Sequence, residues 1–147
     1  MDPTSDPTES DALPTSEFAF PGPLRDRLVA AILDGTKVAT TGLVADYEHE
    51  GEPLPVKGRR SVVVDSANHP VAEIEVTSVA VVPLREVDLQ HVVDEGEGHQ
   101  TVEEWRRDHE TFWHGDELRA ALGDPSFTVD DETLVVLERF RVVRRLD

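Results

Sequence analysis

The sequence contains no cysteine, which excludes disulfide bonds, a thiolate nucleophile and a cysteine-ligated zinc site. Long apolar runs are also missing. No segment approaches the roughly 20 apolar residues that a membrane-spanning helix needs. Residues 1–17 have neither the basic nor the apolar region of a signal or transit peptide. These absences favour a cytoplasmic bacterial protein that does not bind membranes.

Basic side chains are scarce. The chain has 31 acidic and 14 basic residues and a formal net charge of −17. Proteins bind nucleic-acid backbones largely through Lys and Arg, so this charge argues against a long duplex, and no DNA partner is expected. A small ligand, or a short single strand in a local basic pocket, is easier to reconcile with it. The excess of acidic residues could equally serve only to keep the protein soluble.

The length of 147 residues and the 38% of hydrophobic residues suit one domain. Residues 1–17 are acidic and rich in Pro, Ser and Thr, and they carry five acidic and no basic side chains. This composition predicts a disordered acidic tail. Residues 18–147 are predicted to form the folded domain.

Helical and extended patterns alternate along that domain. Leu24, Leu28, Ala31 and Ile32 lie on one face of a predicted helix over 23–33, which Gly35 would end. Thr101 begins a capping box, so a second clear helix should follow it. Strands are predicted over 37–44, 61–65, 71–82 and 133–143, with 61–65 and 71–82 as a hairpin, and a short helix over 84–91. Strands outweigh βαβ units, which favours a small β-barrel with peripheral helices, an α+β protein.

The segment from Gly35 to Thr40 resembles the G-x-K-x-x-T signature of ASCH domains, with Lys37 and Thr40 at the signature positions. Other segments resemble the bacterial branch of this family in the same order. They are 51–55, 74–77, 95–98, the helix that contains Trp105, and 138–143. The similarity extends from about residue 18 to residue 144. It implies a PUA-like fold associated with RNA.

Known ASCH proteins include RNA-binding proteins, a ribonuclease, and amidohydrolases that remove the acetyl group from N4-acetylcytidine. The resemblance to the amidohydrolases implies catalytic roles for Lys37, Thr40 and either Glu95 or Glu97. The signature often has an arginine two residues after the threonine, but this sequence has Gly42 there. That departure bears on how a substrate would be anchored.

Hydrolysis of an amide needs a nucleophile, a base and a proton for the leaving amine. Thr40 is the candidate nucleophile. A lysine acts as a base only after losing its proton, which neighbouring carboxylates oppose. Glu95 or Glu97 is therefore the better candidate for moving protons. Residues three apart on a flat strand face opposite ways, so Lys37 and Thr40 can converge only if the chain turns between them.

Four further residues are candidates for substrate binding: Glu75, Arg59, Arg141 and Trp105. Glu75 could face the pocket or be an exposed strand carboxylate. Either arginine could hold a phosphate or form surface ion pairs. Trp105 could stack on a base, although its helical spacing is equally typical of core packing. The six histidines show no metal-binding spacing, so neither a metal nor another cofactor is expected.

The resemblance to ASCH domains therefore implies an RNA- or modified-nucleoside-binding protein whose pocket contains Lys37, Thr40 and the loop with Glu95 and Glu97. The most specific form of this prediction is an amidohydrolase that removes the acetyl group from N4-acetylcytidine. A ribonuclease that acts on short single-stranded RNA, a binding module without catalysis, and an acidic protein-interaction domain remain alternatives.

Overall fold

The computed structural model describes residues 13–146. The elements follow one another as β1 (Thr15–Ser16), α1 (Pro23–Asp34), β2 (Ala39–Leu43), α2 (Val44–Glu50), β3 (Arg60–Val64), β4 (Pro70–Pro83), a 3-10 turn (Leu84–Glu86), α3 (Leu89–Asp94), α4 (Val102–Trp113), α5 (Asp116–Leu122) and β5 (Leu134–Arg145). β1 lies within the segment predicted to be a tail. Residues 1–12 of that predicted tail are outside the described residues.

The strands form one mixed sheet in the order β1-β3-β4-β5-β2. β1 pairs with β3 in parallel, and the other neighbours are antiparallel. The α+β class is confirmed, but the expected barrel is not: over residues 13–146, the two end strands do not pair with each other. β1 pairs with β3 at only two positions, Thr15↔Val62 and Ser16↔Val63. A strand of this length is too short to close the sheet by also pairing with β2.

Several local predictions are confirmed. α1 begins at Pro23, and Gly35 follows it in the left-handed region with φ 87°, where its N–H donates to the carbonyl of Ile32. Glycine adopts this conformation without the Cβ penalty of other residues. Thr101 caps α4, because its side chain accepts a hydrogen bond from the N–H of Glu104. The predicted hairpin is formed by β3 and β4.

Other elements differ from the prediction. α2 follows β2 without a gap, although the sequence predicted no helix there. The helix expected over 84–91 is a 3-10 turn followed by α3, which runs on to Asp94. α5 was not predicted. α2 and α5 have seven residues each, too few for a clear helical period.

Two hydrophobic clusters pack on the sheet. One joins α1 to β3, β4 and β5 through Val29, Ile32 and Phe140, among others. The other packs α3, α4 and α5 against the sheet around Trp105 and Trp113. α1 is rotated from its predicted orientation, because the residues it buries are Arg25, Val29 and Ile32.

Candidate functional site

A cleft of about 1030 Å³ separates α1 from α4. Leu24, Leu28 and Ala31, from the apolar stripe of α1, line one side of this cleft, and Leu28 also packs against the core. Asp108, His109 and Phe112 of α4 also line it, and Phe112 stacks on Phe20 with ring centroids 5.7 Å apart. The cleft reaches the sheet at Thr40, Ile74, Val76 and Glu138.

Gly96 brings the acidic loop after α3 against the segment before β2. A Cβ on Gly96 would lie 2.4 Å from the carbonyl oxygen of Thr36 and 2.8 Å from the Cα of Lys37, and Gly96 has φ +70°. Only glycine fits this close approach without strain. The contact is held by the N–H of Val38, which donates to the carbonyl of Asp94 at 2.9 Å. Glu95 and Glu97 are thereby both brought beside Lys37.

Lys37 is almost fully buried, with 1% of its surface exposed. Its ammonium donates to the carbonyl oxygen of Ala39 at 2.8 Å, to that of Glu95 at 3.3 Å, and to Oε2 of Glu97 at 3.2 Å. The three N–H groups of the ammonium therefore all have acceptors. This arrangement favours a fixed positive charge, so Lys37 is better suited to hold and stabilise negative charge than to accept a proton.

Glu95 is buried behind Lys37. Its Oε2 accepts hydrogen bonds from Thr41 Oγ1 at 2.5 Å and from His91 Nε2 at 3.0 Å. Its Oε1 lies 3.9 Å from Lys37 Nζ and 3.5 Å from His109 Nε2, with no hydrogen bond of good geometry. Burial alone would raise the pKa of Glu95, but the two histidines and Lys37 hold that pKa well below its usual range. Glu95 therefore stays ionised.

Glu97 is the carboxylate that faces the cleft, with 20% of its side chain exposed. Burial raises its pKa, Lys37 opposes that rise, and the negative charge of Glu95 adds to it. Two carboxylates thus lie beside one lysine with pKa values that their surroundings move in opposite directions. Such a pair is typical of acid–base sites, in which one group stabilises charge and the other exchanges a proton.

His109 completes this end of the cleft. Its Nδ1 lies 2.9 Å from the carbonyl oxygen of Trp105, to which it donates, and its ring stacks on Trp105 with centroids 4.2 Å apart. Burial disfavours the charged imidazolium, but contact with Glu95 and Glu97 outweighs it and raises the pKa of His109. With Nδ1 committed to the carbonyl, Nε2 bears a proton only when the ring is charged.

Thr40 and Thr41 are adjacent on β2 and face opposite sides of the strand. Both threonines line the cleft, and Thr40 lies directly across from Glu138 on β5. Thr41 bonds to Glu95 and pairs with Leu137. Lys37, just before β2, is buried and does not itself line the cleft; it reaches the cleft through its contact with Glu97.

The structure does not bring the other predicted binding residues together. Trp105 is 0% exposed, so it has no free surface for stacking on a base, and core packing is its observed role. Glu75 and Arg141 pair with each other at 2.5 Å and do not line the cleft. Arg59 does line it.

Three of these residues offer potential metal ligands. One atom from each of Glu95, Glu97 and His109 lies within 4.8 Å of the others. Lys37 Nζ is 3.2 Å from the Glu97 carboxylate and 3.9 Å from that of Glu95. A divalent ion would therefore have to displace the ammonium, which already supplies the positive charge that this cluster binds.

Sequence reasoning missed several residues at the site. Thr41, His91 and His109 surround Glu95, and Tyr47 and Glu138 line the cleft beside Thr40. The i, i+4 spacing of His91 and Glu95 could have revealed that pair once α3 was recognised. The register that places Glu138 opposite Thr40 leaves no comparable local signal.

The fold and site define a small α+β domain with a buried cluster of ionisable side chains beside one cleft. The ASCH domain family model matches residues 17–144, and the chain belongs to that family. ASCH domains generally bind RNA. Among curated proteins, no significant match to the sequence was found.

Solved structures agree with this assignment. An ASCH domain from Lactobacillus crispatus JV V101 has 29% identity and a TM-score of 0.72, over 88% of this chain and 80% of that one. A protein from Enterococcus faecalis V583 has 28% identity and a TM-score of 0.70, over 81% of this chain and 68% of that one. A mutant ASCH protein from Zymomonas mobilis shares the fold at 10% identity and a TM-score of 0.51. The similarity covers 90% of this chain and 73% of that one. Among the described residues, no helix is both long and apolar enough to cross a membrane.

Proposed function

We propose that the cleft binds a modified nucleoside and hydrolyses an amide on its exocyclic nitrogen, with N4-acetylcytidine as the defining substrate. The observation that carries this proposal is the contact of the buried Lys37 ammonium, at 3.2 Å, with the carboxylate of Glu97, which lines the same cleft as Thr40. A fixed positive charge, a carboxyl group that can exchange a proton and a hydroxyl nucleophile are the groups that amide hydrolysis requires.

In this mechanism Thr40 Oγ attacks the acetyl carbonyl carbon, and its proton passes to Glu97. Lys37 stabilises the negative charge that develops, as a preorganised cation does in a buried site. Glu97 then gives the proton to N4 as the C–N bond breaks, which releases cytidine and leaves an acetyl ester on Thr40. Water, deprotonated by Glu97, cleaves that ester to acetate and restores the hydroxyl.

The charge of the cleft favours a nucleoside over a polymer. Seven acidic side chains and two arginines line it. Each phosphate of a bound strand would enter a region of net negative charge, which weakens binding. This charge supports an uncharged nucleoside over an RNA strand as the substrate.

The test is incubation of purified protein with N4-acetylcytidine while cytidine and acetate are quantified. We expect release by the wild type, none by Thr40→Ala, and a roughly hundredfold or greater loss with Glu97→Gln, the usual scale for a missing general acid–base group. Lys37→Met should also abolish release. EDTA should not alter the rate, because Lys37 supplies the charge in place of a metal ion.

Thr36→Ala is the matched control. Thr36 lies within the same signature, is exposed and does not line the cleft. Its substitution should leave the rate unchanged. Absence of release at high protein concentration, or release that survives Thr40→Ala, would contradict the proposal. Cleavage of short RNA by the same preparation would instead support the ribonuclease alternative.

A further inference from the structure

The apolar side of the cleft is a continuous track that begins beside Lys37. The N–H of Lys37 donates to the carbonyl oxygen of Ala31 at 3.1 Å, so the last turn of α1 lies against the segment that carries the lysine. Ala31, Leu28 and Leu24 follow one another along the side of α1 that lines the cleft. At a rise of 1.5 Å per residue, the seven positions from Ala31 back to Leu24 extend this stripe about 10 Å away from Lys37.

α4 forms the opposite side of this apolar track. His109 lies at the charged end of the cleft, where its Nε2 is 3.5 Å from Oε1 of Glu95. Phe112, almost one turn later, stacks on Phe20, which shortly precedes α1 and therefore lies at the Leu24 end. Along both helices, the lining of the cleft thus changes from ionisable groups near Lys37 to apolar groups farther from it.

The apolar groups of the track lie deeper than the charged groups on the same helices. Arg27 and Asp108 line the cleft as exposed side chains. Five apolar side chains that line it are half-buried: Phe20, Leu24, Leu28, Ala31 and Phe112. A hydrocarbon group that covers such a surface is stabilised by its removal from water, whereas a sugar or phosphate would lose hydrogen bonds to water there. The track is therefore suited to a hydrocarbon group.

We propose that the apolar track binds the acyl chain of the substrate, and that N4-acylcytidines with chains longer than acetyl are the preferred substrates. This inference rests on the proposed function and names its substrate class. An acetyl group would end near Lys37 and leave most of the track uncovered. A chain of roughly six to eight carbons, with C–C bonds of about 1.5 Å, would cover its length.

The rest of the cleft is consistent with this orientation. Thr40 attacks the carbonyl carbon in the proposed mechanism, and the acyl chain and N4 are attached to different sides of that carbon. Farther along β2 the cleft is lined by Tyr47, whose ring would lie 3.3 Å from a Cβ built on Gly42, and across from Thr40 by Glu138. These polar side chains suit a nucleoside better than a hydrocarbon chain, so the apolar track is left for the chain.

The test is binding of N4-methyl-, N4-propyl- and N4-hexylcytidine, measured by calorimetry. These compounds are amines, so their affinity can be measured whether or not the protein hydrolyses amides. Full burial of one methylene is worth about 0.8 kcal/mol, or about fourfold in affinity, and one side of the cleft is open to water. We therefore expect about two- to fourfold per methylene, so the hexyl compound should bind at least about tenfold more tightly than the methyl compound. Hydrolysis should follow the same order, with kcat/KM at least about tenfold higher for N4-hexanoylcytidine than for N4-acetylcytidine.

Substitutions at the two ends of the track should affect chains of different length. Ala31→Leu fills the track beside Lys37 and should remove the advantage of both the propyl and the hexyl compound over the methyl compound. Leu24→Asn places a polar group at the far end. It should weaken binding of the hexyl compound about three- to tenfold and leave the ratio of propyl to methyl unchanged. Ala30→Leu is the matched control, because Ala30 is exposed on the same helix and does not line the cleft. Thermal melts verify that each variant is folded.

The outcomes separate this inference from the proposed function. Release of acetate with no gain in kcat/KM or affinity for longer chains would overturn the inference and leave the proposed function intact. A gain that survives both Ala31→Leu and Leu24→Asn would also overturn it, because the chain would then lie elsewhere. If Leu24→Asn weakened unmodified cytidine as much as the hexyl compound, the base would occupy the track and the inference would be wrong. Affinity that rises with chain length and responds to both substitutions, in a protein that releases neither acetate nor hexanoate, would support the apolar track and remove the proposed function. Absence of binding by every compound would overturn the inference.

Discussion

Replacement of Gly96 by alanine should destabilise the protein strongly and disrupt the Lys37 site in the same step. Two costs add. Alanine at φ +70° carries the penalty of the left-handed region, roughly 1–2 kcal/mol. Its Cβ would also lie 2.4 Å from the Thr36 carbonyl oxygen and 2.8 Å from the Lys37 Cα, both backbone atoms that cannot move aside cheaply. Together these costs should lower the free energy of unfolding by about 3 kcal/mol or more.

Gly98→Ala is the matched control. Gly98 is in the same loop with φ +89°, and an added Cβ there would meet nothing within 4 Å. This variant should show only the conformational cost, about 1 kcal/mol. Urea unfolding measures both values. At the size of this chain, the corresponding falls in melting temperature are roughly 6–12 °C for Gly96→Ala and 2–4 °C for Gly98→Ala.

The same pair tests the coupling to function. Relief of the clash at Gly96 moves the loop away from the backbone at Lys37, which separates Glu97 from the ammonium. Deacetylation, where present, should therefore fall in Gly96→Ala and stay near the wild-type rate in Gly98→Ala. If the two alanine variants had equal stability and equal rates, the loop would not be pressed against residues 36–37, and the argument from close approach would be wrong.

Three further predictions concern the groups around Lys37 and the cap of α4. Glu95→Gln removes a buried charge that faces Lys37 and His109, so it should cost about 3–5 kcal/mol in urea unfolding, and a cost under 1 kcal/mol would contradict the buried ion pair. The raised pKa of His109 means that its stabilisation is fully present below pH 6.5, the pKa of an unperturbed histidine, and is lost as the pH rises through the folded value. Melting temperatures should therefore fall from about pH 6.5 upward by more in the wild type than in His109→Gln, and parallel curves would refute this. Thr101→Ala removes the N-cap hydrogen bond to Glu104 and should cost about 1 kcal/mol in urea unfolding, whereas Thr101→Ser should cost little.

Local signals in the sequence identified the elements that local interactions determine. α1 is fixed by its apolar spacing and by Gly35, and α4 by the capping box at Thr101. The sequence did not reveal that the apolar stripe of α1 would line a cleft, because periodicity identifies a face but not what that face meets. The barrel expectation failed for a similar reason: closure depends on how the end strands pair, which no single strand specifies.

Lys37, Thr40 and either Glu95 or Glu97 were predicted from the resemblance, but the different positions of the two glutamates follow only from long-range geometry. Both glutamates contact Lys37, and only Glu97 opens to the cleft. Glu138 lies 98 positions from Thr40 in the sequence and meets it through strand register alone. Such a contact leaves no mark in a local pattern, so the approach of Glu138 to Thr40 could be found only in three dimensions.

The strand order has a consequence for the order in which the protein matures. β2 lies at the end of the sheet, and its one strand neighbour there is β5, the last strand of the described chain. During synthesis the chain emerges from its N-terminus, so the Thr40 side of the cleft stays without its wall until residues 134–145 are available. Lys37 and the acidic loop can meet earlier. A ribosome stalled before β5 would thus display Lys37 and its carboxylates without the strand that faces Thr40.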